Sequence, residues 1–220
     1  MISGTTLAEL ATSHPAASRV FHDLGLDFCC GGRRPLAEAC EERGLDAATV
    51  IEAIEAEERK APDAPRWDIR PIPELVSFIV EHYHARLRSE LPELIALAAK
   101  VEDRHADKPS RPVGLRDHLQ SVHQAVLSHL AKEEQVLFPM IVSGMGRMAA
   151  GPVRVMEVEH DDHARNLART RALTADLTAP AEACASWRAL YLRLGELEAD
   201  LMEHIHLENN VLFPRVLGGM

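Results

Sequence analysis

Two stretches of the chain carry the same chemistry at the same spacing. HLAKEEQVLFP begins at His129 and HIHLENNVLFP at His204, a repeat at an offset of 75 residues. His129 and Glu133 correspond to His204 and Glu208, and each pair is followed by Val-Leu-Phe-Pro. A lone His-Glu pair four apart arises by chance in a chain with 12 histidines; the shared Val-Leu-Phe-Pro does not. Residues four apart share one helix face about 6 Å apart along the axis, so each pair can direct an imidazole and a carboxylate at one centre. On that face His129 stands with Val122, Val126 and Val136, and His204 with Leu197, Leu201 and Val211. Polar donors in an apolar stripe are costly to bury, and a cation between them removes the penalty.

Two further helical patterns offer the remaining donors. His84 shares a face with Val80, Leu87 and Leu91, and His160 with Val153, Met156 and Leu167. His82 competes with His84, because Glu81-His82 parallels Glu159-His160, and His163 lies one turn beyond His160. Four histidines and two glutamates suit a dinuclear non-haem iron centre. Each iron takes two imidazoles, both carboxylates bridge, and positions stay open for an oxo bridge, O₂ or NO. Imidazole with carboxylate also suits manganese or zinc, so the dinuclear layout is what favours iron. No thiolate set fits a structural zinc site. His206, two residues past His204, is expected on a solvated face, and His118 and His123 at the surface or behind the ligands. His105, in a break between helices, is a candidate for access at the bundle end. Glu81, Glu159 and Asp200 are candidates to hold ligand imidazoles by their second nitrogen.

Four long helices must position these residues. Helical patterns cover about residues 73–101, 115–142, 153–177 and 181–216, with short breaks and no strand-like alternation. That predicts an all-α, up-down-up-down four-helix bundle, 74–220. Before it, APDAPRWDIRPIP holds four of the chain's 13 prolines, an extended linker at 61–73. Residues 1–60 read as a small helical domain: a segment near Leu7 to Leu24, a helix from Pro35 ending at Gly44, and a helix capped by Asp46.

The composition is 46% hydrophobic and 4% aromatic, so the core is aliphatic, as in helical proteins. A net charge of −10 argues against wrapping nucleic acid, and no apolar run is long enough for a membrane span. MISGTTLAEL has no basic region ahead of an apolar stretch, so the expected location is the cytoplasm. Cys29 and Cys30 are neighbours before Gly31-Gly32, a turn or else a thiol pair that accepts iron, docks a client or senses oxidation. Cys40 and Cys184 fall in helical patterns and are expected to be inert core residues.

DFCCGG, the YH of EHYHARLRSELPELI, KVEDRHADKPS, HLAKEEQVLFPMI, GPVRVMEVEHD and HIHLENNVLFPR together resemble a known family. The chain is similar, end to end, to the di-iron RIC (repair of iron centres) proteins, the ScdA/YtfE-type iron–sulfur cluster repair group of the hemerythrin-like superfamily. The resemblance selects His84 over His82 and His160 over His163 as ligands beside His129, His204 and bridging Glu133 and Glu208. It implies an N-terminal domain carrying the Cys29-Cys30 pair and a hemerythrin-like bundle. His82 departs from the pattern, which has a different residue there. The implied role is restoring iron–sulfur clusters damaged by nitric oxide or peroxide by releasing iron to damaged or apo client proteins. Alternatives on the same residues are a di-iron nitric oxide reductase making N₂O with electrons from a partner, and a carrier or sensor of O₂ or NO. A second copy of the chain is a further candidate partner.

Overall fold

Local chemistry fixes the small helices first. Thr6 and Glu9 form a reciprocal capping box at the start of α1 (Leu7–Ser13), and α2 (Ala17–Asp23) follows a short turn. The third helix, α3 (Leu36–Arg43), stops at Gly44, whose φ of +66° suits glycine. Asp46 then accepts the backbone N–H of Thr49 to start α4 (Ala47–Glu58), as the sequence indicated. These helices close on Leu7, Phe21, Phe28, Leu36, Val50 and Ile54, all buried. This computed structural model describes residues 4–218, and among them there is no strand beyond one isolated bridge between Thr6 and Pro35.

Four long helices make the rest. Helix α5 (residues 72–104) comprises Ile72–Phe78, a π-helical turn Ile79–His84 and Ala85–Arg104. Helix α6 (residues 115–142) comprises Leu115–Lys132, a π-helical turn Glu133–Leu137 and Phe138–Val142. Helix α7 is Ala150–Leu173, and α8 (residues 185–218) comprises Ala185–His206, a π-helical turn Leu207–Leu212 and Phe213–Gly218. Successive helices pack side by side, α5 also meets α8, and Arg171 on α7 pairs with Glu198 on α8, which closes an up-down-up-down bundle. The core falls into two clusters. One is centred on Leu87, Leu94, Leu119, Leu190 and Leu201, the other on Leu75, Leu137, Val153 and Phe213. Along every long helix the polar donors fall at the seam between them.

Two boundaries differ from expectation. Helix α7 ends at Leu173, because Ala175, Asp176 and Leu177 all take positive φ. The turn that follows delays α8 to Ala185, and Cys184 becomes its exposed N-cap rather than a core residue. Pro92 lies inside α5 without ending it.

Candidate metal centre

The helical repeat brings the expected donors together. His84, Glu133, His204 and Glu208 form one group, and His129, Glu133, His160 and Glu208 a second; within each, the donor atoms lie within 4.8 Å of one another. The two groups share both glutamates, so Glu133 and Glu208 each stand within reach of two metal positions. All six side chains are buried. His84 Nε2 lies 3.2 Å from His204 Nε2, and His129 Nε2 lies 3.2 Å from His160 Nε2.

The outer nitrogens explain which way the rings face. His84 Nδ1–H donates to Glu134 Oε1 at 2.7 Å, His129 Nδ1–H to Glu159 Oε2 at 3.0 Å, and His160 Nδ1–H to Asn209 Oδ1 at 2.8 Å. A proton on Nδ1 leaves the Nε2 lone pair pointing inward, the tautomer a metal needs. Arg88 also pairs with Glu134, and Lys132 with Glu159, so burial of these carboxylates is outweighed and both stay below their ordinary pKa. His204 differs. Its Nδ1 is buried without a partner, and the ring instead stacks on Tyr83 at 5.8 Å.

These donors fit a metal on their own chemistry. Both carboxylate oxygens of Glu133 and of Glu208 are buried without a hydrogen bond and face histidine Nε2 atoms at 3.1 Å, His129 for Glu133 and His160 and His204 for Glu208, an expensive arrangement unless a cation is shared between them. Burial, then repulsion from Glu208, raises the pKa of Glu133; for Glu208 the attraction of His204 and His160 overcomes burial and lowers it. Burial and nearby His204 push His84 down to about 4, a neutral imidazole ready to donate its lone pair. On His129 burial opposes the proton, but Glu133, Glu208 and Glu159 prevail and hold the pKa up at about 9.

The π-helical turns are the local device. Three of them occur, and His84, Glu133 and Glu208 each lie in one. Each wide turn shifts the helix phase beside a donor, as such turns do at functional sites. One consequence was not legible in the spacing: Val136, expected in the buried stripe, is 50% exposed, while its counterpart Val211 is 3% exposed. Val211 joins the bundle cluster with Leu75, Leu212 and Phe213, and Val136 does not.

Other expectations need correction. Glu81 is exposed and Glu134 takes the role it was offered; Asp200 pairs with Arg86, not with an imidazole. His105 lies beside Cys184, with Nε2 3.2 Å from its Sγ, at the opposite end of α5 from His84 and so away from the centre. His82 is exposed and stacked on Phe78. His206 is buried rather than solvated, because the N-terminal Phe28 ring packs on it at 5.5 Å; burial lowers its pKa to about 4. His118 is buried against Thr170. His163 packs edge-on to His129 at 4.9 Å but belongs to neither donor group. Glu134 and Asn209 were missed, although a signal existed: they occupy equivalent places one residue past the two glutamates, and each holds a histidine of the facing helix.

The thiol loop meets this centre. Cys30 Sγ lies 3.8 Å from the carbonyl oxygen of His160, and Cys29 is buried in the bundle's core cluster. The Cys30 sulfur, then burial, pushes the Cys29 thiol well above its usual range.

Residues 76–216 match the hemerythrin HHE cation-binding domain, and residues 3–58 match ScdA_N, a domain of unknown function. A Citrobacter koseri protein called iron-sulfur cluster repair protein YtfE is 50% identical over 97% of this chain and 96% of its own length. The chain belongs to the YtfE family. Proteins of the same name from Escherichia coli O157:H7 and Musicola paradisiaca are 49% and 47% identical over the same shares of each chain. The YtfE-type bundle seen here is thus an all-α, hemerythrin-like cation-binding fold. Among its described residues no helix is long and apolar enough to cross a membrane.

Proposed function

We propose that this chain repairs iron–sulfur clusters damaged by nitric oxide or oxidants, supplying iron held by His84, His129, His160, His204, Glu133 and Glu208. The observation that carries the reading is the pair of buried donor groups sharing two glutamates whose oxygens lack hydrogen bonds, in a chain whose full-length relatives are called cluster repair proteins. The cargo would be two non-haem irons, held by the four histidines together with Glu133 and Glu208. Bound iron supplies the metal that a damaged cluster lacks.

The protein's own residues hold and release it. Glu134, Glu159 and Asn209 keep three imidazoles facing inward, and no such partner holds His204. Outer-shell partners govern metal affinity, so the His84/His204 group is the weaker half and gives up its ion first. Because both glutamates serve both groups, displacement of either loosens the whole centre. In this reading residues 1–60 present the thiol pair, 61–73 link, and 74–220 store iron. The clients are damaged or apo iron–sulfur proteins of the cytoplasm, and a separate electron donor keeps the iron reduced.

The test is anaerobic incubation of the iron-loaded protein with a client enzyme whose cluster nitric oxide has degraded. Client activity should return with wild type and fail to return with Glu133→Leu. Repair by that variant at the wild-type rate would overturn the mechanism.

A further inference from the structure

We propose that Asp27, Cys29 and Cys30 form a second metal site, one carboxylate and two thiolates, that takes a single divalent ion of the iron(II) or zinc(II) kind. Their donor atoms lie within 4.8 Å of one another. The separations are those of ligands around one small ion. Metal–sulfur bonds of about 2.3 Å at a tetrahedral angle place two sulfurs ~3.8 Å apart, and a sulfur and a carboxylate oxygen ~3.5 Å apart. Here Cys29 Sγ and Cys30 Sγ are 3.9 Å apart, and Cys29 Sγ is 3.4 Å from Asp27 Oδ1.

The loop is built to hold that arrangement. Asp27 Oδ1 accepts the backbone N–H of Cys30 at 3.0 Å, which fixes the carboxylate over the thiols. A Cβ on Gly31 would meet Asp27 Oδ2 at 2.9 Å, and one on Gly32 would meet the Phe28 carbonyl oxygen at 2.3 Å. The Gly-Gly pair is therefore required by the close approach of the loop to itself. Asn210 Nδ2 donates to the carbonyl oxygens of Phe28 and Cys29, each at 3.2 Å, tying the loop to α8.

Position gives the site a use. Asn209 Nδ2 donates to the Cys29 carbonyl at 3.4 Å while its Oδ1 accepts from His160, so one side chain joins the thiol loop to a ligand of the first centre. On the other side, Asp27 and Cys29 line a cleft of about 480 Å³ between the N-terminal unit and the bundle. Three protein donors leave a fourth position for water or a client's cysteine, the habit of exchanging rather than storage sites. On binding, both thiol protons leave to solvent. That iron passes through here on its way to a client rests on the delivery reading; that the three residues bind a metal does not.

Cobalt(II) alone, added to the reduced, iron-loaded full-length protein without oxygen, tests this. The first centre has no thiolate, and a Cys184→Ser background removes the exposed Cys184–His105 pair, so a thiolate-to-cobalt charge-transfer absorption then reports the second site. The expected result is one cobalt per chain with that absorption at unchanged iron content. It should vanish in Cys30→Ser and weaken by about 10–100-fold in affinity in Asp27→Asn, whose exposed position spares the fold. No thiolate absorption with the iron retained, or full affinity in Asp27→Asn, would overturn the proposal. Loss of the absorption in Cys30→Ser with client repair unimpaired would leave the site standing and remove its place in delivery.

Discussion

Replacing Glu133 by leucine should stabilise the metal-free protein while destroying its capacity for metal. Glu133 is buried, its oxygens make no hydrogen bond and face only histidine nitrogens, His129 Nε2 at 3.1 Å, and burial together with Glu208 raises its pKa, so the folded chain without metal carries a group that it would be better off without. Its neighbour His129 keeps Glu208 and Glu159 as partners for its proton, so no charge is stranded. Replacing buried ionic groups by apolar ones of similar volume stabilises proteins by about 1–4 kcal/mol where no charge is left unpaired. In a chain of this size each kcal/mol moves the melting temperature by about 2–4 °C. Calorimetry of chelator-treated samples should therefore place Glu133→Leu above wild type by roughly 2–16 °C. With iron present the order reverses, because only wild type gains the binding free energy. Glu208→Leu should gain less, since His204 and His160 already stabilise that carboxylate. A metal-free Glu133→Leu that melts below metal-free wild type would refute the view that this cluster is maintained for metal at the expense of stability.

Three other outcomes follow from single contacts. Glu134→Ala and Asn209→Ala should each weaken metal retention against a competing chelator by about 10–100-fold, through His84 and His160 respectively; unchanged retention would mean that ring orientation is set elsewhere. Cys184 has its pKa lowered to about 7 by His105, so iodoacetamide should alkylate it with a half-maximal rate near neutral pH, and His105→Phe should move that midpoint toward the ordinary 9.0. The Glu198 carboxylate, 3.4 Å from His22 Nε2, holds the imidazole above 6.5, so the folded state keeps the proton longer than the unfolded chain. That stabilisation is complete below about pH 6.5 and is lost as pH rises through the raised value, a slope that chemical denaturation should record and His22→Gln should flatten.

What could be read in the sequence was what depends on local spacing. The His-to-Glu intervals and the repeated Val-Leu-Phe-Pro placed four of the six donors on two helix faces, and Gly44 and Asp46 announced a helix stop and start that the structure contains. What depends on tertiary contact could not be read. Val136 and Val211 both precede Leu-Phe-Pro, yet Val211 joins the bundle cluster with Leu75 and Phe213 while Val136 is left in solvent. His206 has a solvated register on α8 until Phe28 covers it. The π-helical turns have no composition signal, so a phase based on 3.6 residues drifts past them and offers Glu81 where Glu134 does the holding. Cys184 illustrates the same limit at a boundary: a turn of three positive-φ residues moves the helix start and changes a core thiol into an exposed one.

The most direct test of the account is the metal content of protein purified without oxygen, by elemental analysis. Two irons per chain, the number set by the two donor groups, should be found in wild type and lost from both Glu133→Leu and Glu208→Leu. Zinc in place of iron, one metal per chain, or full iron in either variant would contradict it.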